Sequence, residues 1–456
     1  MKFAASILLC LLVAACAMQS YQAKPLDPAA TAQAFSARTA ADAGLSDVPV
    51  WDLPALTQAA LRLHPDLQVA RAQWQAAQAE EKTAAQSPIP SFSAGAEHHT
   101  RTDEGISPWT LTLGIGIPIE THGKREARIE QAQALSDAAR LDIANTAWQV
   151  RSRVRARLLD YYAARQRVQQ LQRQERPRAE IVSLLQARLN VGLASTVEMA
   201  DARLQLRRVE AALDAENGQL NESRAALAAA IALPEKALDD TRLGFRTFEQ
   251  DIAPLPSDEM QRMALQNRLD VRRELLNYAA TEAALKLEIA KQYPDINLDP
   301  TYSWDQGDNR WGLGFSQLLT LIRGNDAAIA SAEAARELEA KRFEALQISV
   351  ISEKEQAAAA WQASLNELQH NRKLLQEQKD RLAQTQSQFD AGQMDRLDLT
   401  LASLELQAAE AAVMESNIKV QQALGRLEDA VQRPLQLPDD SSGVVVGLSQ
   451  QSSIQE

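Results

Sequence analysis

Residues 109–119 read WTLTLGIGIPI, a stretch in which large apolar residues alternate with small or polar ones. Such alternation places the apolar side chains on one face of a β-strand and the others on the opposite face. The segments 91–101, 296–304 and 310–320 follow the same pattern, the first of them more weakly. Strands of about ten residues with aromatic residues near their ends are typical of transmembrane β-strands. Soluble hairpins packed against helices fit the same pattern, so both interpretations stay open here.

The number of strands limits what they can build. Four strands are too few to close a barrel, and a sheet left open in lipid exposes unpaired backbone groups. Each such group costs several kcal/mol in hydrocarbon. If these strands cross a membrane, several copies of the chain must therefore share one barrel.

The sequence is a tandem duplication. Asp66-Leu67 corresponds to Asp270-Val271 at a spacing of 204 residues, and the later matches keep a spacing of 200. The pairs at this second spacing include Gly192 and Gly392, Glu198 and Asp398, Asn217 and Asn417, and Pro234 and Pro434. Each unit is predicted to contain a helix, two strands, a very long helix, a tight turn and a return helix.

Two long segments between the strands and the turns lack helix-breaking residues almost entirely. Residues 124–191 contain no Gly and one Pro, Pro177, and residues 325–391 contain neither. As helices, each would span about 100 Å. Apolar residues of the second segment recur with the seven-residue rhythm of a coiled coil, and Pro177 is expected to interrupt or kink the first helix. The fold class is therefore mainly α, with a small β part.

Composition excludes several functions. The chain of 456 residues carries 48 Lys and Arg against 60 Asp and Glu, a net charge of -12 that disfavours nucleic-acid binding. No nucleophile elbow, phosphate loop or acid–base pair suggests an enzyme, and no cofactor is expected. The five histidines complete no metal-coordination shell, and a solvated loop explains them better than a metal site. Ion pairs, between subunits or along the helix, explain the arginines of the stretch 151–157.

The N-terminus predicts export. Residues 1–15 have the basic start and short apolar core of a signal peptide. Residues 13–16 read VAAC, which resembles the lipobox of bacterial lipoproteins, so Cys16 is the expected lipid attachment site. An ordinary signal peptide with a chance cysteine is the alternative. Ala17 after the cysteine is similar to lipoproteins that are sorted to the outer membrane.

Together, the lipobox, the duplicated unit with two strands each and the glycine-bounded long helices resemble the TolC-like outer-membrane efflux factors. The stretch 117–125, IPIETHGKR, is similar to the CzcC-like heavy-metal branch of that family. The resemblance implies a homotrimer in the outer membrane. Its twelve strands form one β-barrel, and its helices form a coiled-coil barrel that continues the barrel through the periplasm. It also implies two partners, a periplasmic adaptor (membrane fusion) protein and an inner-membrane transporter of the RND type.

The resemblance assigns two sets of site residues. The adaptor would bind the turns between the long helices, which consist of Val191, Gly192, Leu193, Ala391, Gly392 and Gln393. Glu198 and Asp398, six residues beyond each glycine, would line a periplasmic aperture with six carboxylates and raise each other's pKa. Plain helix caps explain the same glycines and acids. Where members of the resembled family can carry Arg or Thr near the turn, this chain has Met394 and Arg396, so a gating salt bridge is not predicted.

These features give a domain map. It comprises a signal peptide (1–15), a lipid-anchored tether (16–50), a first repeat (51–234), a linker (235–256), a second repeat (257–434) and a flexible tail (435–456). The predicted function is an outer-membrane efflux channel that passively conducts metal cations, drugs or other small molecules. The alternative is a lipid-anchored structural coiled coil of the periplasm without channel activity.

Overall fold

The computed structural model describes residues 21–239, 241–250, 268–317 and 325–435. Its helices are α1 (Pro28–Ser36), α2 (Leu53–Leu63), α3 (Pro65–Ala84), α4 (Lys124–Asn190), α5 (Thr196–Ala230), α6 (Arg246–Glu249), α7 (Leu269–Ala290), α8 (Asp326–Asp390) and α9 (Arg396–Val431). A 3₁₀ turn spans Glu235–Leu238. The strands are β1 (Ser91–His98), β2 (Trp109–Ile119), β3 (Ile296–Asp305) and β4 (Asp308–Gln317). Cys16 and the lipobox lie outside the described residues, as do residues 318–320 and the C-terminal tail beyond 435.

Two long helical hairpins dominate the fold. The 67-residue α4 packs against α5, and the 65-residue α8 packs against α9, so each hairpin is about 100 Å long. The interruption expected at Pro177 is wrong, because α4 continues through this residue. The free energy lost with one hydrogen bond is small compared with the stabilisation that a helix of this length gains from packing. Among the described helices, none combines the length and the apolar composition needed to cross a membrane.

The four strands form one antiparallel sheet in the order β1-β2-β3-β4. Leu113 lies opposite Ala94 on β1 and Tyr302 on β3, which fixes the register on both sides of β2. The sheet thus joins one hairpin of strands from each repeat side by side. The prediction of a mainly helical chain with a small four-stranded part is confirmed.

The main hydrophobic core lies between the sheet and the helix turns. It joins α2, the middle of α4 and the end of α5, with Leu56, Val150, Leu158, Leu227 and Ile231 fully buried. Burying a large aliphatic side chain contributes about 1.5–3 kcal/mol. The core therefore fixes the repeat at its middle.

The segments on either side of the first repeat pack into this core. Trp51 is buried; its N–H donates to the carbonyl of Arg242 (2.8 Å), and its carbonyl accepts from the N–H of Gly244 (3.0 Å). Leu45 and Phe248 are buried beside it. Residues 43–51 and the described part of the linker thus form one layer over the helices.

Ion pairs join the two repeats along the seam between α4 and α9. The arginines come from α4 of the first repeat and the acids from the start of α9 and its later turns. The pairs are Arg151–Glu428 (3.2 Å), Arg167–Glu415 (2.7 Å), Arg173–Glu410 (3.9 Å) and Arg188–Asp395. The residue numbers rise on one helix as they fall on the other, as an antiparallel contact requires.

Candidate functional site

The sheet has one apolar face that is exposed along its whole length. On β2 this face carries residues that are each about half exposed, namely Trp109, Leu111, Leu113, Ile115, Ile117 and Ile119. On β4, Trp311 is 83% exposed, and Leu313 and Phe315 are similarly open. Contiguous apolar surface of this kind marks a face that contacts lipid or another protein.

The opposite face of the sheet is polar and is built around glycines. Gly114 on β2 lies opposite Ser93 and Thr301, so hydroxyl side chains flank a position without a side chain. At the end of the sheet away from the helices, Thr110 donates to Asp305 (2.5 Å), and Arg310 pairs with the same carboxylate (2.6 Å). One wall of the sheet is therefore suited to water and the other to lipid.

Each of the two outer strands of the described sheet has one edge without a hydrogen-bonded neighbour. Within the described part of the chain, β1 pairs with β2 alone and β4 pairs with β3 alone. An open edge of eight to ten residues presents backbone donors and acceptors that another strand can pair with. Each of these edges is therefore a place where a further strand can pair.

A buried lysine anchors the sheet to the helices. Lys124, the first residue of α4, donates to the carbonyl of Tyr293 (2.6 Å) and pairs with Asp295 (2.7 Å), both just before β3. Arg128 on the next turn of α4 pairs with Glu120 after β2 (2.6 Å). The contacts of Lys124 join the β2–α4 junction of the first repeat to the α7–β3 junction of the second, and the Arg128 pair stabilises the first of these junctions.

The first helix turn lies at the far end of the hairpin from the sheet. Gly192 has φ +74°, a left-handed conformation that glycine adopts without strain. Leu193 N–H donates to Arg188 O (2.8 Å) and Gly192 N–H to Leu189 O (3.1 Å), the bonding of a Schellman cap. The cap leaves the side chains of Val191 and Leu193 69% and 77% exposed.

The second turn repeats this geometry. Gly392 has φ +70°, and Gln393 N–H donates to Gln388 O (2.8 Å) while Gly392 N–H donates to Phe389 O (2.9 Å). Ala391 and Gln393 are exposed. The structure thus places both predicted tips at helix ends with open side chains, and both are also complete helix caps.

Glu198 and Asp398 sit in capping boxes. Glu198 accepts hydrogen bonds from the N–H (2.7 Å) and the hydroxyl (2.8 Å) of Ser195. These bonds, aided by Arg188, hold the pKa of Glu198 below its usual range. Asp398 accepts from the N–H of Asp395 (3.3 Å) in the equivalent box. At Glu198, the cap therefore opposes the rise in pKa that repulsion between copies would cause.

Two ion pairs join the tips of the two hairpins. Arg188 near the end of α4 pairs with Asp395, the residue that caps α9. Arg396, the first residue of α9, pairs with Glu180 on α4 (2.7 Å). Sequence reasoning missed both pairs, because nothing in the sequence indicates that the start of α9 lies beside the end of α4.

Three of the five histidines contradict the expectation of a solvated loop, since His98 ends β1, His370 lies within α8 and His64 is buried. His64 is buried before α3, where its Nδ1 accepts from the N–H of Asp66 (3.2 Å) and its Nε2 lies 3.1 Å from Arg153. Burial lowers its pKa. The loop interpretation is wrong for His64, because this residue caps the first turn of α3 and its side chain is buried against the core.

The arginines at 151–157 form ion pairs, as expected, and three of the four pair with acids of other helices of the same chain. Arg151 pairs with Glu428 on α9, and Arg153 pairs with Asp66 (3.1 Å). Within α4 itself, Arg157 pairs with Asp160 (3.1 Å). Arg151 and Arg153 thus hold helices together in the single chain, whereas Arg157 pairs along its own helix.

Comparison with known proteins agrees with this architecture. The family described as Outer membrane efflux protein matches residues 56–233 and 261–431 of the chain. The cobalt-zinc-cadmium resistance protein CzcC of Cupriavidus metallidurans is 26% identical over 211 residues, which cover 46% of this chain and 49% of that protein. The chain thus spans about half the length of this curated relative.

Two solved structures show the same fold. VceC from Vibrio cholerae has a TM-score of 0.67 at 18% identity, covering 84% of this chain and 96% of that one. The open state of MtrE from Neisseria gonorrhoeae has a TM-score of 0.69 at 18% identity, covering 84% and 89%. VceC is an outer membrane protein and MtrE an outer membrane channel, and at these identities the likeness supports the fold.

Proposed function

Because the chain belongs to the outer membrane efflux protein family, we propose that it forms the outer-membrane channel of a tripartite efflux system. The channel is passive and conducts small solutes from the periplasm to the exterior. The observation that carries this proposal is the two-faced sheet, apolar on one side and polar on the other, with both edges open. A structural coiled coil would have no use for such a sheet.

The sheet edges require a homo-oligomer. In lipid, the free edges of β1 and β4 would each leave backbone groups unpaired, at several kcal/mol per group. Pairing β4 of one copy with β1 of the next removes both edges. Three copies give twelve strands, with the apolar face toward lipid and the polar face toward the lumen.

The helices continue the lumen away from the membrane. Hairpins about 100 Å long reach far into the periplasm, and both tips lie at the end opposite the sheet. We assign Val191, Gly192, Leu193, Ala391, Gly392 and Gln393 to the binding of a periplasmic adaptor. Exposed apolar residues beside a rigid glycine cap suit a helical partner that packs end to end.

The same end of the hairpins would form the aperture. Glu198 and Asp398 begin the return helices of the two hairpins, and the ion pairs of Arg188 with Asp395 and Arg396 with Glu180 hold these ends together. In the trimer, the opening narrows as these pairs form and widens as they break.

The anchor and the remaining partners belong to the same proposal. A lipid on Cys16 would tether the chain to the outer membrane, and an RND-type inner-membrane transporter would supply the energy and select the cargo. The likeness to a protein named for cobalt, zinc and cadmium resistance favours metal cations as that cargo.

The test combines mass and conductance. Purified protein in detergent is expected to have three times the mass of the single chain and to give single channels in planar bilayers. Arg188→Ala protein is measured in parallel, so that a closed aperture is not mistaken for the lack of a lumen. A monomer that conducts in neither form would overturn the channel and leave the structural coiled coil.

A further inference from the structure

Asp299 differs from its neighbours on the polar face of the sheet because its side chain is ionisable. It lies on β3 opposite Gly314, and Gly116 lies on its other side, level with Ser91 of β1. In the neighbouring rows toward each end, the residues opposite one another are Thr301 with Gly312 and Asn297 with Ser316. Across these three described rows, Asp299 carries the ionisable side chain.

The charge of Asp299 has no basic partner among the described residues. Its Oδ1 accepts from the amide of Asn297 (2.6 Å) and its Oδ2 from the hydroxyl of Ser316 (3.0 Å), both neutral groups. By contrast, Asp305 further along β3 pairs with Arg310. These neutral donors orient the carboxylate without pairing it with a cation.

The glycines on both sides give the carboxylate room to lie against the sheet while it stays partly exposed on the polar face. A Cβ built at Gly116 would lie 3.2 Å from Oδ1 of Asp299, and one at Gly314 would lie 3.5 Å from its Cβ. With no side chains at these two positions, the carboxylate lies along the wall between β2 and β4. A hydrated ion in the lumen can therefore approach it from the front.

An ionised side chain at membrane depth is costly and is retained where it serves a water-filled path. The outer end of the face offers a contrast, because Asp308 there is 75% exposed and lies 3.7 Å from Arg310. Its field is both partly compensated and screened by bulk salt. The other carboxylates of this face, Glu97, Asp305 and Asp308, lie in its outermost rows, so Asp299 is the described carboxylate whose field acts deeper in the lumen.

We propose that Asp299 sets the charge selectivity of the membrane part of the channel and favours cations over anions. This inference rests on the proposed function, because the face must line a lumen. In the trimer, three such carboxylates lie at one level of the wall and attract inorganic cations without binding them tightly. Positively charged solutes then pass this part of the channel more readily than negatively charged ones.

The first experiment measures reversal potentials of single channels in a salt gradient, for wild type and Asp299→Asn. The cation-to-anion permeability ratio is expected to fall about two- to fourfold at roughly 0.1 M salt, the effect of three unit charges acting across water. Asp308→Asn removes the same charge at the outer mouth and is expected to change the ratio less. Equal ratios in wild type and Asp299→Asn would overturn the inference.

A second experiment does not depend on an open aperture. Thr301→Cys places a thiol one row outward from Asp299 on the same face, and intact cells are treated with a cationic and an anionic methanethiosulfonate reagent. Adding Asp299→Asn is expected to reduce the preference for the cationic reagent, and an unchanged preference would sink the inference. If neither reagent reacts although the trimer assembles, the face lines no lumen and the proposed function itself fails.

Discussion

Arg188 near the end of α4 donates a hydrogen bond to the carboxylate of Asp395, the N-cap residue of α9, and so ties the tip of one hairpin to the tip of the other. The two residues belong to different repeats. A second pair, Arg396 with Glu180, crosses the same junction. The ends of the hairpins are thus joined by charge at the position where we place the aperture.

Arg188→Ala is expected to widen the aperture, because it removes one of the two crossing ion pairs. The stability change is expected to stay within about 1 kcal/mol, since the pair is partly exposed. Bilayer recordings would show a larger mean conductance than wild type. Arg207→Ala is the matched control, because Arg207 pairs with Glu210 on its own helix (2.7 Å). Equal conductance in the two variants would argue against a gating role.

Gly192→Ala and Gly392→Ala are expected to destabilise the tips. Both glycines have positive φ and open space where a Cβ would stand, so the cost is backbone strain of about 1–2 kcal/mol each. Gly218→Ala serves as the control, because this glycine lies inside α5 with nothing near its Cβ. There, alanine is expected to stabilise by about 0.5–1 kcal/mol. Denaturation in detergent measures all three, and equal signs would contradict the assignment of strain.

Glu428→Gln is expected to destabilise the seam between the repeats strongly. Glu428 is 1% exposed, and its Oε2 lies 3.2 Å from Arg151 and 3.3 Å from Arg155. Removing its charge leaves two buried guanidinium groups without the carboxylate that they share, and breaking a buried pair in this way costs about 3–5 kcal/mol. Glu367→Gln, which breaks an exposed pair with Lys419, is expected to have a far smaller effect on the same unfolding curve. Similar effects of the two changes would show that burial of the pair is unimportant.

The first turn of α5 is expected to loosen in acid. The pKa of Glu198 is lowered by its bonds to Ser195, so the stability that it contributes is present above the ordinary glutamate pKa. That stability is lost as the pH falls through the lowered value. Hydrogen exchange of the amides in this turn, followed against pH, locates the midpoint.

Ser195→Ala removes the hydroxyl donor but keeps the backbone N–H, so the midpoint is expected to move upward toward the ordinary range. A wild-type midpoint above that range would contradict the prediction. It would show that repulsion between copies at the aperture outweighs the cap.

Leu193→Asp is expected to abolish adaptor-dependent transport while leaving the trimer and its conductance intact. The side chain of Leu193 is largely exposed in the chain, so its replacement disturbs little packing. Leu26→Asp is the control, because Leu26 is just as open and lies in the N-terminal segment before α1. Adaptor pull-down and cellular efflux measure both, and transport that survives in Leu193→Asp would exclude this tip from the contact.

Much of the fold follows from local patterns. The alternation in 109–119 defines β2, and glycines at 192 and 392 mark the two turns because a left-handed residue ends each long helix. The capping box of Ser195 and Glu198 follows from the spacing of three residues between them. Such features depend on neighbours a few residues away, which the sequence presents directly.

Contacts between distant elements were not readable in this way. His64 looked like a surface histidine because nothing nearby in the sequence shows that Arg153 lies against it. An interruption at Pro177 was expected because the hydrogen bond that proline removes can be inferred from the sequence. The packing that offsets this loss cannot be inferred from neighbouring residues.

The sequence by itself determined the helix lengths, the strand alternation and the turns, since each depends on residues that are close along the chain. It also determined the duplication, which is visible from the sequence matches alone. The tertiary structure decided which helices are neighbours and hence which charges meet. Arg188 and Asp395 are separated by more than two hundred residues, and only the packing of α4 beside α9 brings them into contact. The pairing of β3 with β4 likewise places the neutral donor Ser316 beside Asp299 and places Arg310 beside Asp305. Charge pairing depends on distances in space, and only the packed chain sets those distances.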